Sequence, residues 1–131
     1  MIDLANYDLT AQANAGADID ILDPYTLEKF AEPVVFRVLG SESDERFKVE
    51  SELARELSTK QSGADIDIED FKMKIYAKLV VKVTGLQMDG VEVSADYETI
   101  YKLFKKYNWI YRQVKLGIDK RENFLAKPSE K

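Results

Sequence analysis

The chain of 131 residues contains no cysteine and no histidine. The first absence excludes disulfides, a thiolate nucleophile and a zinc site built on cysteine. The second excludes an imidazole base, a Ser-His-Asp relay and a histidine-ligated metal. A catalyst made from this sequence would have only carboxylates, lysines and tyrosines to work with. The composition points to a protein that is not an enzyme and that holds no cofactor or metal. Long apolar runs are missing as well. The longest stretch without Asp, Glu, Lys or Arg is Leu9–Ala17, nine residues, against the roughly 18–20 apolar residues needed to cross a bilayer. No basic segment followed by an apolar core opens the sequence, so neither a membrane nor a secretory route is expected. The expected location is the cytosol.

What is present suits one compact domain. Apolar residues make up 45% of the chain and charged residues 33%, enough for a core under a highly solvated surface. The net charge of −5 conceals an uneven layout. Residues 1–101 carry 10 basic and 21 acidic side chains, a balance of −11, and residues 102–131 carry 9 and 3, a balance of +6. The first 28 residues hold no Lys or Arg. Two readings stay open: a dipolar molecule that orients its partners or its own copies, or faces that are merely solvated.

Periodicity predicts an α+β fold, an N-terminal β-hairpin packed on a bundle of about four α-helices. Residues 1–23 read as a loosely ordered acidic segment, 24–126 as the single domain and 127–131 as a polar tail. The hexapeptide Gly16-Ala17-Asp18-Ile19-Asp20-Ile21 recurs at Gly63–Ile68, but the flanks do not match, so a repeat architecture is not expected. After the turn signal Asp23-Pro24, Tyr25–Phe30 and Val34–Leu39 read as the two strands, joined near Ala31–Pro33. A helix capped by Ser41 or Ser43 follows, with Phe47, Leu53, Ala54 and Leu57 near one face and a stop at Ser62-Gly63. Asp67 caps the clearest helix, whose apolar stripe runs Ile68, Phe71, Ile75, Tyr76, Leu79, Val80, Val83 and ends at Gly85. Asp89-Gly90 is a turn beside the extended Val91–Val93. Ser94 or Asp96 caps a helix with Tyr97, Ile100, Tyr101, Leu103, Phe104 and Tyr107. Asn108 opens a last one with Ile110, Tyr111, Val114 and Ile118.

Candidate chemistry is sparse. Asp65-x-Asp67-x-Glu69 begins like a calcium loop, but its sixth position is Asp70 and its twelfth Tyr76, where Gly and Glu are required; capping explains these acids better. No feature selects a catalytic pair from 24 acidic residues. The six glycines are scattered and form no phosphate-binding loop. The stretch Lys102–Arg112 interleaves basic and aromatic residues, which suits a nucleic-acid backbone. The overall pI of about 4.9 argues against that partner, since long-range steering would be repulsive. Core packing with a solvated basic face, or a protein interface, remains. If it is an interface, Tyr107, Trp109, Tyr111 and Arg112 are the candidate contact residues, because aromatics and arginine dominate binding hot spots.

From Leu79 onward the order of features is specific. Lys78-Leu79-Val80-Val81-Lys82-Val83-Thr84-Gly85-Leu86 leads into Asp89-Gly90 and Val93-Ser94. An aromatic helix follows, then Trp109-Ile110-x-x-Gln113-Val114, then Glu122-Asn123-Phe124-Leu125. With Val38-Leu39-Gly40-Ser41-Glu42-Ser43 upstream, residues 34–126 resemble the tail assembly chaperones of long-tailed, siphovirus-type bacteriophages and prophages. In that family the residue after the Gly is often Trp, where this chain has Leu86. None of these motifs is catalytic.

The resemblance implies a scaffolding role in the host cytoplasm during virion morphogenesis. Such proteins bind the long helical tape measure protein, keep it soluble, help recruit the major tail protein around it and leave before the virion matures. A programmed frameshift in many relatives yields a longer form that contacts the tail subunit, and this chain corresponds to the short form. The alternative is a structural tail component, a tail-tube or tail-completion protein retained in the virion. The charge split adds a possible self-association, the acidic segment Asp3–Asp23 of one copy docking on the basic C-terminal helices of the next. Neither nucleic acid nor membrane is an expected partner.

Overall fold

The computed structural model describes residues 1–59, 67–120 and 123–124. It is a mixed α+β fold in which an antiparallel sheet packs on helices. A 3-10 turn (Leu4–Tyr7) leads into α1 (Leu9–Ala15), β1 (Ala17–Asp20) and β2 (Val35–Val38). Then come α2 (Asp44–Thr59), α3 (Ile68–Lys78), β3 (Val80–Thr84), β4 (Gln87–Met88), β5 (Val91–Glu92), α4 (Tyr97–Lys106) and α5 (Asn108–Asp119).

The hairpin exists, but its first strand lies earlier than the periodicity suggests. β1 pairs antiparallel with β2, Ile19 opposite Phe36, so residues 1–23 are not a loose lead-in. Alternation explains it: Ala17, Ile19 and Ile21 are buried while Asp18 and Asp20 are exposed. Tyr25–Phe30 forms no strand. The Asp23 carboxylate accepts hydrogen bonds from Tyr25 N at 2.8 Å and Thr26 N at 3.4 Å, a side-chain-closed turn of the kind aspartate favours. Tyr25 and Leu27 are left exposed at its tip, Leu27 at φ +62°.

The second correction concerns Leu79–Val83. The helix that Asp67 caps, its carboxylate accepting from Asp70 N at 3.1 Å, stops at Lys78, and the β-branched run that follows is β3. β3 completes a sheet of order β1-β2-β3. Gly85 therefore ends a strand rather than a helix. In α2 the buried residues are Val49 and Leu53, while Phe47 and Ala54 are exposed. Ser43 is the cap: fully buried, it accepts from Arg46 N at 3.2 Å and donates to Gly40 O at 2.6 Å. The expected stop at Ser62-Gly63, the hexapeptide's second copy over 63–66, Leu125 and the tail 127–131 lie outside the described residues.

The core sits between the sheet's inner face (Ile19, Phe36, Val38, Val80) and the helices, α3 packing against α2, α4 and α5. α5 runs beneath β1, and Gly117 lets it approach: a Cβ there would meet the Ile19 side chain at 2.7 Å. Leu22 N donates to the Gln113 Oε1 at 2.7 Å, and Gln113 Nε2 donates back to Leu22 O at 3.0 Å. At its far end, α5 meets α1 around a cavity of about 40 Å³ lined by Leu9, Ala13, Gly40, Ile118 and Phe124. The acidic N-terminal segment thus lies along the chain's own α5 from Leu9 to Leu22. No helix among the described residues is long and apolar enough to cross a membrane.

Candidate functional site

The basic-aromatic stretch forms two amphipathic helices that meet at Tyr107. Asp96 caps α4 by accepting from Thr99 N at 3.2 Å. Tyr107 N closes α4 by donating to Leu103 O at 2.7 Å, and Tyr107 O accepts from Ile110 N at 2.9 Å to start α5. Ile100, Leu103, Phe104, Ile110, Tyr111, Val114 and Ile118 turn inward and are buried. Lys102, Lys105, Lys106, Arg112 and Leu116 turn outward.

This geometry divides the four candidate contact residues. Tyr111 is core, 3% exposed, with its ring 6.1 Å from Tyr76 edge-on and 5.2 Å from Phe104. It is not available to a partner. Its position between Ile110 and Val114 on the inward face is the reason. Tyr107 and Trp109 are half-buried and pack against the core, with Lys106 Nζ 5.6 Å from the Tyr107 ring centroid. Arg112 alone is fully outward. Beside it, four residues on, is Leu116, 71% exposed and missed by hot-spot reasoning from aromatics. The stripe Ile110–Val114–Ile118 already leaves Arg112 and Leu116 on the opposite face.

A second surface joins α3 and α4. Tyr97 and Tyr101 stack with ring centroids 6.0 Å apart. Lys78 lies 4.7 Å from the Tyr97 centroid, and Lys105 and Lys74 lie 5.4 and 5.9 Å from that of Tyr101. Asp70 anchors the array: it accepts from the Tyr101 hydroxyl and pairs with Lys105 at 3.2 Å and Lys74 at 3.3 Å. Burial pushes the Asp70 carboxyl up, but the hydrogen bonds from Tyr101, Lys105 and Lys74 outweigh it and hold it below the usual carboxylate range. Burial lowers Lys74, yet Asp70 leaves it above its ordinary value. Asp67 and Asp70, which fall within the calcium-like spacing, serve as cap and anchor. No group of three or more potential ligands occurs among the described residues.

At the end of α5, the exposed Asp119 ties α5 to α3 and to the segment before α2. It accepts from Tyr76 Oη at 2.5 Å and Ser41 Oγ at 3.3 Å and pairs with Lys115 at 3.6 Å. Burial first, and this bond second, push the Tyr76 phenol far up. Burial pushes Tyr111 up to about 12, helped by Glu69 and Asp119. The Tyr111 hydroxyl is buried with no hydrogen-bond partner among the described residues. Tyr111→Phe is therefore expected to leave stability at pH 7 unchanged or raise it by about 1 kcal/mol. A phenol ionises from about pH 10 in an unfolded chain. The raised folded value means its contribution is intact below pH 10 and is lost as pH climbs toward 12. Urea unfolding at pH 7, 10 and 11 checks this: the parent should lose more stability than the variant across that window.

What the site offers is a rigid helical surface of outward cations, a lone exposed leucine and aromatic edges, suited to binding a protein face with apolar and acidic groups. No protein-family model, curated protein or solved structure matches the chain.

Proposed function

We propose that this protein is a binding scaffold of the tail-assembly-chaperone kind, acting in the cytoplasm of the host cell. It holds a tape measure protein in soluble form and helps bring major tail subunits to it. The order of motifs over residues 34–126 supplies the family reading. The observation that carries the binding reading is the outward strip of α5, Arg112 and the 71%-exposed Leu116 next to half-buried Trp109. An exposed leucine framed by a cation and an aromatic edge fits an amphipathic helix laid along it.

Co-expression with a tape measure protein from the same genome tests this directly. The chain is expected to raise the soluble fraction of the tape measure protein. Arg112→Glu with Leu116→Glu, both exposed and away from the core, is expected to weaken binding about tenfold or more. An unchanged soluble fraction with and without the chain would refute the reading. Detection of the chain by mass spectrometry in purified mature particles would mark a retained tail component instead.

A further inference from the structure

The three-stranded sheet has two edge strands, β1 and β3. Just past β1 the outward N–H and C=O of Leu22 are taken by Gln113, and the exposed Asp18 and Asp20 of β1 are already ion-paired with Arg37 and Lys29. β3 pairs with β2 alone, and Val81, Lys82 and Thr84 are exposed.

The aim of its backbone groups follows from the ladder. Ile21 N donates to Val34 O at 2.9 Å, which makes Ile21 and Val34 a hydrogen-bonded pair, as are Ile19 and Phe36 two residues along. Each residue of an antiparallel strand directs its N–H and C=O to one side, and successive residues alternate. Phe36 therefore faces β1, while Val35 and Arg37 face β3. Their partners Thr84 and Lys82 face back toward β2. Val83, between them, directs its N–H and C=O to the open edge. Val81 sits where the register shifts and has no Cα partner in β2.

The side chains of that edge complement those of β1. On the outer face β1 sets Asp18 against Arg37 at 3.3 Å and Asp20 against Lys29. β3 sets out Lys82 and Thr84, and Lys82 has no ion-pair partner among the described residues. On the inner face Val83 is half-buried next to Phe36.

We propose that the open edge of β3 takes an extended segment of a partner protein as a fourth, antiparallel strand. The segment carries a branched apolar residue opposite Val83 and a carboxylate opposite Lys82, the pattern with which Asp18-Ile19-Asp20 covers β2. Main-chain bonds to Val83 give affinity, and the alternating side chains give selectivity. The groove past Thr84 is lined by Glu32, Gly85, Leu86, Gln87 and Glu92. The segment is therefore uncharged or basic where it passes Gly85. Such a partner is a strand and not the helix of the reading above, so each stands or falls alone.

The probe is a labelled peptide of residues 16–21, Gly-Ala-Asp-Ile-Asp-Ile, titrated into the full chain by anisotropy and by amide NMR. Shifts at residues 80–84 and slowed exchange of the Val83 amide are expected. Lys82→Glu, a change at an exposed position, should weaken binding about fivefold or more, in line with cross-strand charge pairs. A Gly-Ala-Lys-Ile-Lys-Ile peptide should in turn prefer the Lys82→Glu chain. The proposal is overturned by binding indifferent to Lys82→Glu, or by no binding at millimolar peptide. It is equally overturned if the peptide displaces β1, seen as perturbation of Phe36 and Val38 with loss of the native signals of residues 17–20.

Discussion

Phe104→Ala is expected to cost about 3–5 kcal/mol of stability, the range for emptying a fully buried aromatic site. Phe104 is 0% exposed and packs its ring on Tyr111 across the α4–α5 contact. Truncation there removes transfer free energy and leaves a void that Ile100, Leu103 and Val114, all fully buried, have little freedom to fill. For a domain of ordinary stability, about 5–15 kcal/mol, this is a large fraction of the whole. Urea unfolding of parent and variant measures it. Phe47→Ala is the control: Phe47 is 52% exposed, and its loss should stay within about 0.5 kcal/mol. Equal costs at the two positions would mean that the packing of α4 on α5 is misassigned.

Gly85→Ala is expected to cost about 2–4 kcal/mol, from two sources that can be separated. Gly85 has φ +80°, where an L side chain is strained, and a Cβ there would lie 2.3 Å from Pro33 O. That oxygen belongs to backbone entering β2, so relief requires moving the sheet. Gly90 has the same φ of +80° in the turn between β4 and β5, and a Cβ there would meet nothing within 4 Å. Gly90→Ala should therefore show the strain alone, about 1 kcal/mol. Thermal or urea unfolding of both variants gives the clash by difference. Similar losses at the two glycines would sink the close approach of β3 to Pro33.

How much of this is legible in the sequence depends on the length and cleanness of each pattern. α4 carries a stripe that agrees with its cap at Asp96, and α5 carries one too, although Asn108 is its first residue and not its cap: Tyr107 holds that position with no side-chain hydrogen bond. Both helices are where periodicity puts them. β1 is four residues with a single large apolar member, Ile19, and so short an alternation is lost among Ala and Asp. Leu79, Val80 and Val83 fit the α3 stripe as well as a strand does; only pairing with β2 decides between them, and pairing is a tertiary fact. In the candidate site, Tyr111 has the chemistry of a contact residue because aromatics favour interfaces, while its place on the buried stripe argues the opposite. The stripe is the better guide. The Tyr97–Tyr101 array with its lysines needs α3 beside α4, which no local pattern contains.

The pairing of α5 with β1 also sets an order in time. Ile19 is covered by Gly117, and Leu22 is bonded to Gln113 across 91 residues of chain. β2 waits for β3, 42 residues past the end of β2 at its start, before its second side is closed. At roughly 5–20 residues per second of synthesis, β1 and β2 stand for seconds with their inner faces uncovered. Ile19, Phe36 and Val38 are thus exposed longest while the chain is being made, and the last helix seals the first strand. A nascent chain stalled before α5 should accordingly be held by general chaperones through residues that the finished fold buries.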